Sequence, residues 1–157
     1  MRAVANSTPL IAKAKAPYLL FEVYEEDIIP PAVYDEVAVR GLEKGYRDAG
    51  LVKAAVEEGS IRVEEPSRSI EETLGCAPML HRSEAGVTAL ALRHRACLVL
   101  QDERAARLVA RALGPEVHGT LYVVMAAAAR EVMPVEEALE MLNRLVAEGF
   151  RISVELT

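Results

Sequence analysis

The chain alternates short apolar runs with stretches in which apolar residues recur at helical spacing. The apolar runs predict strands at residues 3–5, 27–29 and 97–100. Residues 61–64 alternate as a peripheral strand would, and residues 116–118 fit a minimal strand. Helical spacing predicts helices over 51–56, 81–95 and 121–131, and one that runs from Asp102 to Gly114. Prolines predict the start of three more helices, at Pro9, Pro31 and Pro134. Residues 66–78 carry two prolines and a glycine, so they are predicted to form a loop with one helical turn.

Strands that alternate with helices predict an α/β protein, a three-layer α/β/α sandwich with a mainly parallel central sheet. A length of 157 residues suits a single domain, 1–157. The last segment, 150–156, alternates apolar and polar positions strictly. It is therefore predicted to form an outer strand with one face towards solvent.

Composition narrows the class of protein. The net charge of −6 argues against a surface that is basic throughout, although it leaves room for a local basic patch. No apolar run is long enough to cross a bilayer and the first residues lack the pattern of a secretion signal, so a cytoplasmic protein without membrane contact is expected. The two cysteines, Cys76 and Cys97, match no metal-ligand spacing, and a reducing cytosol does not favour a disulfide between them.

Polar residues follow several of the predicted strands. Asn6 comes after the first strand, Glu36 lies near the start of the helix after the second, and Asp102 ends the 97–100 strand. Glu84 lies near the start of the helix that runs back into that strand, and Thr120 opens the helix after residues 116–118. All of these positions are expected at the carboxyl edge of the sheet, where ligands of parallel α/β sheets bind. Carboxylates that meet there repel one another unless a cation such as Mg²⁺ neutralises them, and a cation bound in this way suits nuclease chemistry.

Each of these residues also has a purely structural interpretation. Asp102 is placed to cap the helix that follows it, and Glu36 is placed to pair with Arg40. Glu84 suits the first turn of its helix because the helix dipole favours an acid there. The arginines that follow Asp102, at positions 104, 107 and 111, fit either a face that contacts RNA phosphates or an ordinary solvated surface.

The chain resembles the PIN-domain family, and more narrowly its archaeal and bacterial members of unknown function. The resemblance covers nearly the whole chain. It rests on six groups of residues along the chain: 6–11; 28–30 with Val33 and Glu36; 83–85; Leu100 with 102–104 and Arg107; 118–121; and 149–153.

The resemblance implies an α/β/α fold and cleavage of single-stranded RNA with Mg²⁺ or Mn²⁺. It also implies a homodimer and, where the member is a toxin, an antitoxin protein as partner. Glu36, Glu84 and Asp102 match the acidic positions of the family and would hold the metal, with Thr120 orienting a water. Asn6, a weaker ligand, stands where the family has Asp, and Ser83 stands where the subgroup has Gly. Weak activity is therefore expected.

Two other functions remain open at this point. Because Asn6 is neutral, the chain fits a degenerate PIN domain that binds or assembles without cleaving. A doubly wound domain that binds a small phosphorylated ligand is less favoured, since neither GxGxxG nor GxxxxGK[ST] occurs.

Overall fold

A computed structural model describes residues 2–15, 26–95 and 98–147 of the chain. Within these ranges five parallel strands form one sheet in the order β3-β2-β1-β4-β5. The strands are β1 (Arg2–Ala5), β2 (Glu26–Ile29), β3 (Ile61–Val63), β4 (Leu98–Leu100) and β5 (Val117–His118). Ala3 lies opposite Asp27 on one side and Leu98 on the other, so β1 is the central strand. The predicted parallel sheet is confirmed.

Helices connect the strands and cover both faces of the sheet. They are α1 (Ser7–Lys15), α2 (Pro31–Tyr34), α3 (Arg40–Glu43), α4 (Arg47–Glu58), α5 (Arg68–Gly75), α6 (Arg82–Arg93), α7 (Arg104–Ala112), α8 (Thr120–Ala129) and α9 (Val135–Ala147), with a π-helical turn (Asp35–Val39) between α2 and α3. One layer contains α1, α4 and α8, which contact one another through α1. The other contains α5, α6 and α7, of which α6 lies against β1, β2 and β4.

Burial on both faces explains why the central strands consist almost entirely of apolar residues. Val4, Ile28, Val99 and Leu100 are completely buried, because helices cover the sheet on both sides. Small residues let α6 approach closely. A Cβ at Gly86 would lie 3.1 Å from the Pro30 Cβ, so the first half of α6 packs directly onto the end of β2.

Two boundaries differ from the sequence prediction. Residues 66–78 contain a full helix, α5, where a loop was expected. This helix buries none of its side chains completely but packs along α6, and that packing, rather than local sequence preference, stabilises it. Helix α4 is longer than 51–56 and contains Gly50, whose Cβ position is open space. The predicted outer strand at 150–156 and Cys97 lie outside the described residues, while Cys76 is an exposed free thiol.

An ion pair inside the core was not predicted. Lys13 on α1 and Asp27 on β2 are hydrogen-bonded to each other, and neither side chain is exposed. Burial raises the pKa of Asp27, although the ammonium group of Lys13 opposes the shift. Asp27 precedes Ile28 and Ile29, so this pair lies away from the carboxyl edge where the candidate site residues follow their strands.

None of the described helices combines the length and the apolar character needed to span a bilayer.

Candidate metal centre

The carboxyl ends of three neighbouring strands are tied together by backbone hydrogen bonds. The amide of Asn6 donates to the Leu100 carbonyl at 2.9 Å, and the amide of Gln101 donates to the His118 carbonyl at 2.9 Å. The segments that follow β1, β4 and β5 therefore leave the sheet next to one another. This register places Asn6, Asp102 and Thr120 at one edge of the sheet.

Asn6 is held by a neighbour that sequence reasoning missed. Its Nδ2 donates to Gln101 Oε1 at 3.1 Å, and the amide of Glu103 donates to the same oxygen at 3.2 Å. The second bond fixes which end of the Gln101 amide faces Asn6. Asn6 Oδ1 is consequently left buried without a hydrogen-bond partner among the described residues. A polar residue directly after the apolar β4 run was the available signal for Gln101, which is 3% exposed.

Asp102 is bound to the start of a different helix from the one expected. Its Oδ1 accepts from the Thr120 amide at 2.7 Å, and its Oδ2 accepts from the Thr120 hydroxyl at 2.5 Å. Helix α7 is preceded by Glu103 and receives no side-chain cap. The interpretation of Asp102 as the cap of α7 is therefore wrong. Burial raises the pKa of Asp102, although the bonds from Thr120 and the charge of Arg107 act to lower it.

Gly119 makes room for two charged groups. A Cβ at Gly119 would lie 2.6 Å from Asp102 Oδ1 and 2.7 Å from Arg107 Nη1. Partial burial lowers the pKa of Arg107, as does the charge of Arg111, while Asp102 opposes both. Arg107 still carries its charge at neutral pH because the guanidinium is so basic. Arg107 is therefore more than a solvated surface residue, because its guanidinium and the Asp102 carboxylate flank the same point beside Gly119 and act on each other's pKa.

Glu36 belongs to the π-helical turn. Its Oε2 accepts a hydrogen bond from the hydroxyl of Ser7 at 3.0 Å, which ties the turn to the residue after Asn6. Arg40 pairs with Asp35, at 3.3 Å between Nε and Oδ2, so the expected pairing of Arg40 with Glu36 is wrong. Single π-helical turns are rare and often occur at functional sites. This turn presents Glu36 on an exposed surface.

Glu84 is 5% exposed and lies in the first turn of α6. Its Oε2 accepts from the His81 amide at 2.9 Å, so it does stabilise the helix start, as the structural interpretation predicted. A cleft of about 520 Å³ separates this helix start from the π-helical turn. Its lining includes the carboxylates Asp35 and Glu36 and the cations Arg40 and Arg82, of which Arg40 is already paired with Asp35.

The donor set suits a hard divalent cation, but the carboxylates are not gathered tightly. Across residues 2–15, 26–95 and 98–147, no three His, Cys, Asp or Glu side chains form a group that could hold a metal ion. Mg²⁺ needs only one or two carboxylates because it retains several waters. Asn6 Oδ1 supplies a buried oxygen that lacks a described partner, and Asp102 follows Gln101, to which Asn6 is bonded. The residues present therefore fit a hydrated cation. Direct ligation of one cation by Asn6, Glu36, Glu84 and Asp102 together stays a prediction.

Comparison with known proteins gives a family and a fold. The family model described as DUF3368, a PIN domain, matches residues 2–157. No curated protein matches the sequence significantly. Among solved structures, a PilT N-terminus domain protein from the hyperthermophilic archaeon Sulfolobus solfataricus P2 superposes with a TM-score of 0.52 at 15% sequence identity. The match covers 81% of this chain and 93% of that one, so it shows a shared fold.

Proposed function

The chain belongs to the PIN-domain family DUF3368, and on that basis we propose that it is a ribonuclease that cleaves single-stranded RNA with Mg²⁺ or Mn²⁺. PIN domains generally use divalent metal ions and commonly bind RNA. The observation that carries the proposal is the buried Asn6 Oδ1 without a described partner, beside the Asp102–Thr120 pair. An oxygen of this kind is costly to bury unless a ligand or a water contacts it.

The residues of the site would divide the work as follows. Asn6 and Asp102 would hold the cation, and Glu36 and Glu84 would do so directly or through its waters. Thr120 fixes the orientation of the Asp102 carboxylate, because its amide and its hydroxyl each donate to one carboxylate oxygen. When bound, the cation would act as a Lewis acid and would lower the pKa of a coordinated water.

Arginines at two places on the surface would position the RNA. The Arg107 guanidinium lies near the Asp102 carboxylate and would receive a phosphate next to the scissile bond. The cleft beside Glu36 carries Arg40 and Arg82 and has room for the neighbouring part of the strand. The net charge of −6 means that these local groups, rather than the whole surface, must attract the substrate.

Natural activity should be weak, because Asn6 contributes a neutral oxygen where a carboxylate would hold the cation more tightly. Asn6→Asp should therefore raise metal affinity and RNA cleavage. The assay is cleavage of a mixed-sequence single-stranded RNA with Mn²⁺ or Mg²⁺, in parallel with calorimetric metal titration. The matched control is the double change Asn6→Asp with Asp102→Asn, which restores the original formal charge and should lose the gain.

A degenerate PIN module is the second candidate. It is favoured by the neutral Asn6 side chain, whose Nδ2 bonds Gln101 where a charged ligand would stand, and by the loose arrangement of the carboxylates among the described residues. If Asn6→Asp binds metal but leaves RNA intact, this second function is the correct one. Strong cleavage by the natural protein would instead show that Asn6 is no handicap.

We further propose that the protein forms a homodimer and acts as the toxin of a toxin–antitoxin pair. The family commonly pairs with antitoxins. Large apolar side chains on the outer side of α9 support association between copies, since Val135, Leu139 and Val146 are 62%, 56% and 49% exposed. Sedimentation at micromolar concentration tests the dimer, and a monomer would contradict it. Growth arrest on expression, relieved by the protein encoded next to it, tests the toxin role.

A further inference from the structure

Two aromatic rings stack on each other at the surface beside the candidate centre. The rings of His118 and Tyr122 have centroids 3.8 Å apart and an interplanar angle of 11°. His118 Nε2 lies 2.9 Å from Glu116 Oε1, so the imidazole is also held at its edge. Tyr122 remains 37% exposed, and Met125, one turn further along α8, is 57% exposed.

The position of the stack links it to the site. His118 ends β5, an edge strand of the described sheet, and Gly119 follows it directly. Arg107 and the Asp102 carboxylate both contact the space that a Gly119 Cβ would fill. Tyr122 is two residues beyond Thr120, which limits the distance between their Cα atoms to about 7 Å. An aromatic face, a guanidinium and a candidate metal ligand therefore surround one short segment, 118–122.

The stack is not a fully buried core contact. The side chain of His118 is 23% exposed and Tyr122 is 37% exposed, so part of the aromatic surface faces water. The chain is also poor in aromatic residues, with five Tyr, two Phe and no Trp, so two coplanar rings beside the site are not a consequence of composition. A partly exposed aromatic ring is the kind of surface on which an unpaired base stacks.

We propose that the His118–Tyr122 stack is a base-binding subsite for single-stranded RNA, in which one base lies on the exposed aromatic surface and its phosphate contacts Arg107. The subsite deepens the proposed function and rests on it, because it places the strand next to Asp102. The base and the phosphate of one nucleotide would be recognised on the two sides of Gly119. Bases in a duplex are already stacked on each other, so the subsite should discriminate against double-stranded RNA.

Binding without turnover tests the subsite directly. A fluorescein-labelled single-stranded 12-mer RNA is titrated in EDTA and followed by anisotropy, so that cleavage does not contribute. Tyr122→Leu keeps apolar bulk but removes the ring, and it should weaken binding about tenfold. Tyr46→Leu is the matched control, because Tyr46 is 60% exposed and lies in the segment before α4. It should bind like the natural protein, and duplex RNA of the same sequence should bind more weakly.

A second variant keeps the test valid if Tyr122→Leu folds poorly. The protein has no Trp, so Tyr122→Trp introduces a unique fluorophore that preserves the stack. It should keep its affinity, and its emission should change when RNA is added. Equal binding by Tyr122→Leu and the natural protein, equal affinity for duplex RNA, or unchanged Trp emission at saturating RNA would each overturn the subsite.

The outcomes separate this inference from the nuclease proposal. If Tyr122→Leu weakens binding but no variant cleaves RNA with metal, the subsite stands and the nuclease proposal fails. If the natural protein cleaves RNA and Tyr122→Leu leaves both the binding affinity and KM unchanged, the nuclease proposal stands and the subsite fails.

Discussion

Replacing Gly119 by Ala tests whether Asp102 and Arg107 are held where the structure places them. Gly119 has φ −104° and ψ −173°, which any residue adopts, so the substitution introduces no backbone strain. The added Cβ would lie 2.6 Å from Asp102 Oδ1 and 2.7 Å from Arg107 Nη1. The guanidinium is the end of a long flexible side chain and can move away. The carboxylate is short and fixed by two bonds from Thr120, so it bears the cost.

The size of the effect follows from these distances. Ordinary contact begins near 3.4 Å, so Oδ1 must retreat by about 0.8 Å, which stretches its 2.7 Å bond from the Thr120 amide to the limit of a hydrogen bond. Losing most of one charge-assisted bond costs roughly 1.5–3 kcal/mol. The entropy that Ala removes from the unfolded chain offsets about 0.4–1 kcal/mol of this. A net loss of about 1–2 kcal/mol should lower the Tm by roughly 2–8 °C in a chain of this length.

The assay is thermal and urea unfolding in EDTA, with Gly50→Ala as the matched control. Gly50 lies inside α4 with no atom within 4 Å of its Cβ position, so Ala there should stabilise the protein by about 0.5–1 kcal/mol. The two glycine-to-alanine changes should therefore have opposite signs. If Gly119→Ala is as stable as Gly50→Ala, Asp102 is not held at Gly119 and the site geometry is wrong. Weaker Mn²⁺ binding by Gly119→Ala should accompany the destabilisation.

Two further predictions concern buried and paired carboxylates. Asp102→Asn should leave the stability of the metal-free protein equal or higher at neutral pH, because burial disfavours the charged carboxyl group. The hydrogen bonds with Thr120 can be kept, since the new Oδ1 accepts from the Thr120 amide and the new Nδ2 donates to the Thr120 hydroxyl after that hydroxyl rotates. Calorimetry should show weaker Mg²⁺ or Mn²⁺ binding by this variant, and unchanged binding would remove Asp102 from the site. Glu64 lies 2.6 Å from His94 Nε2 and 3.0 Å from Arg93 Nη1. Partial burial by itself raises the pKa of Glu64, but the bonds from His94 and Arg93 outweigh it and hold the pKa below its ordinary value. A lowered carboxyl pKa contributes stability that is present above the unfolded-state pKa and is lost as pH falls through the folded one. Glu64→Gln should therefore cost about 1 kcal/mol near pH 7, and urea unfolding should show the difference shrinking as the pH falls below about 4.5. A pH-independent difference would contradict the ion-pair explanation.

The sequence by itself determined the class of fold and the edge of the sheet where polar residues follow the strands. Apolar runs such as 3–5 and 98–100 are local, and a strand buried on both faces requires them, so the parallel sheet could be predicted without coordinates. The same reasoning places Asn6, Asp102 and Thr120 at that edge. Helix α5 could not be predicted, because its stability comes from α6 and its own residues include turn formers.

Only the tertiary structure decided which atoms meet. Asp102 bonds Thr120 across 18 residues, Ser7 bonds Glu36 across 29, and Asn6 bonds Gln101 across 95. Each sequence position allowed several partners, and the nearest ones along the chain, an α7 cap for Asp102 and Arg40 for Glu36, were the wrong ones. Periodicity reports which face of an element is buried, whereas pairing depends on how separate segments approach one another. The polar contacts of the site therefore follow from the packing of β1, β2, β4 and β5 with the segments after them, for which no single segment of the chain carries a signature.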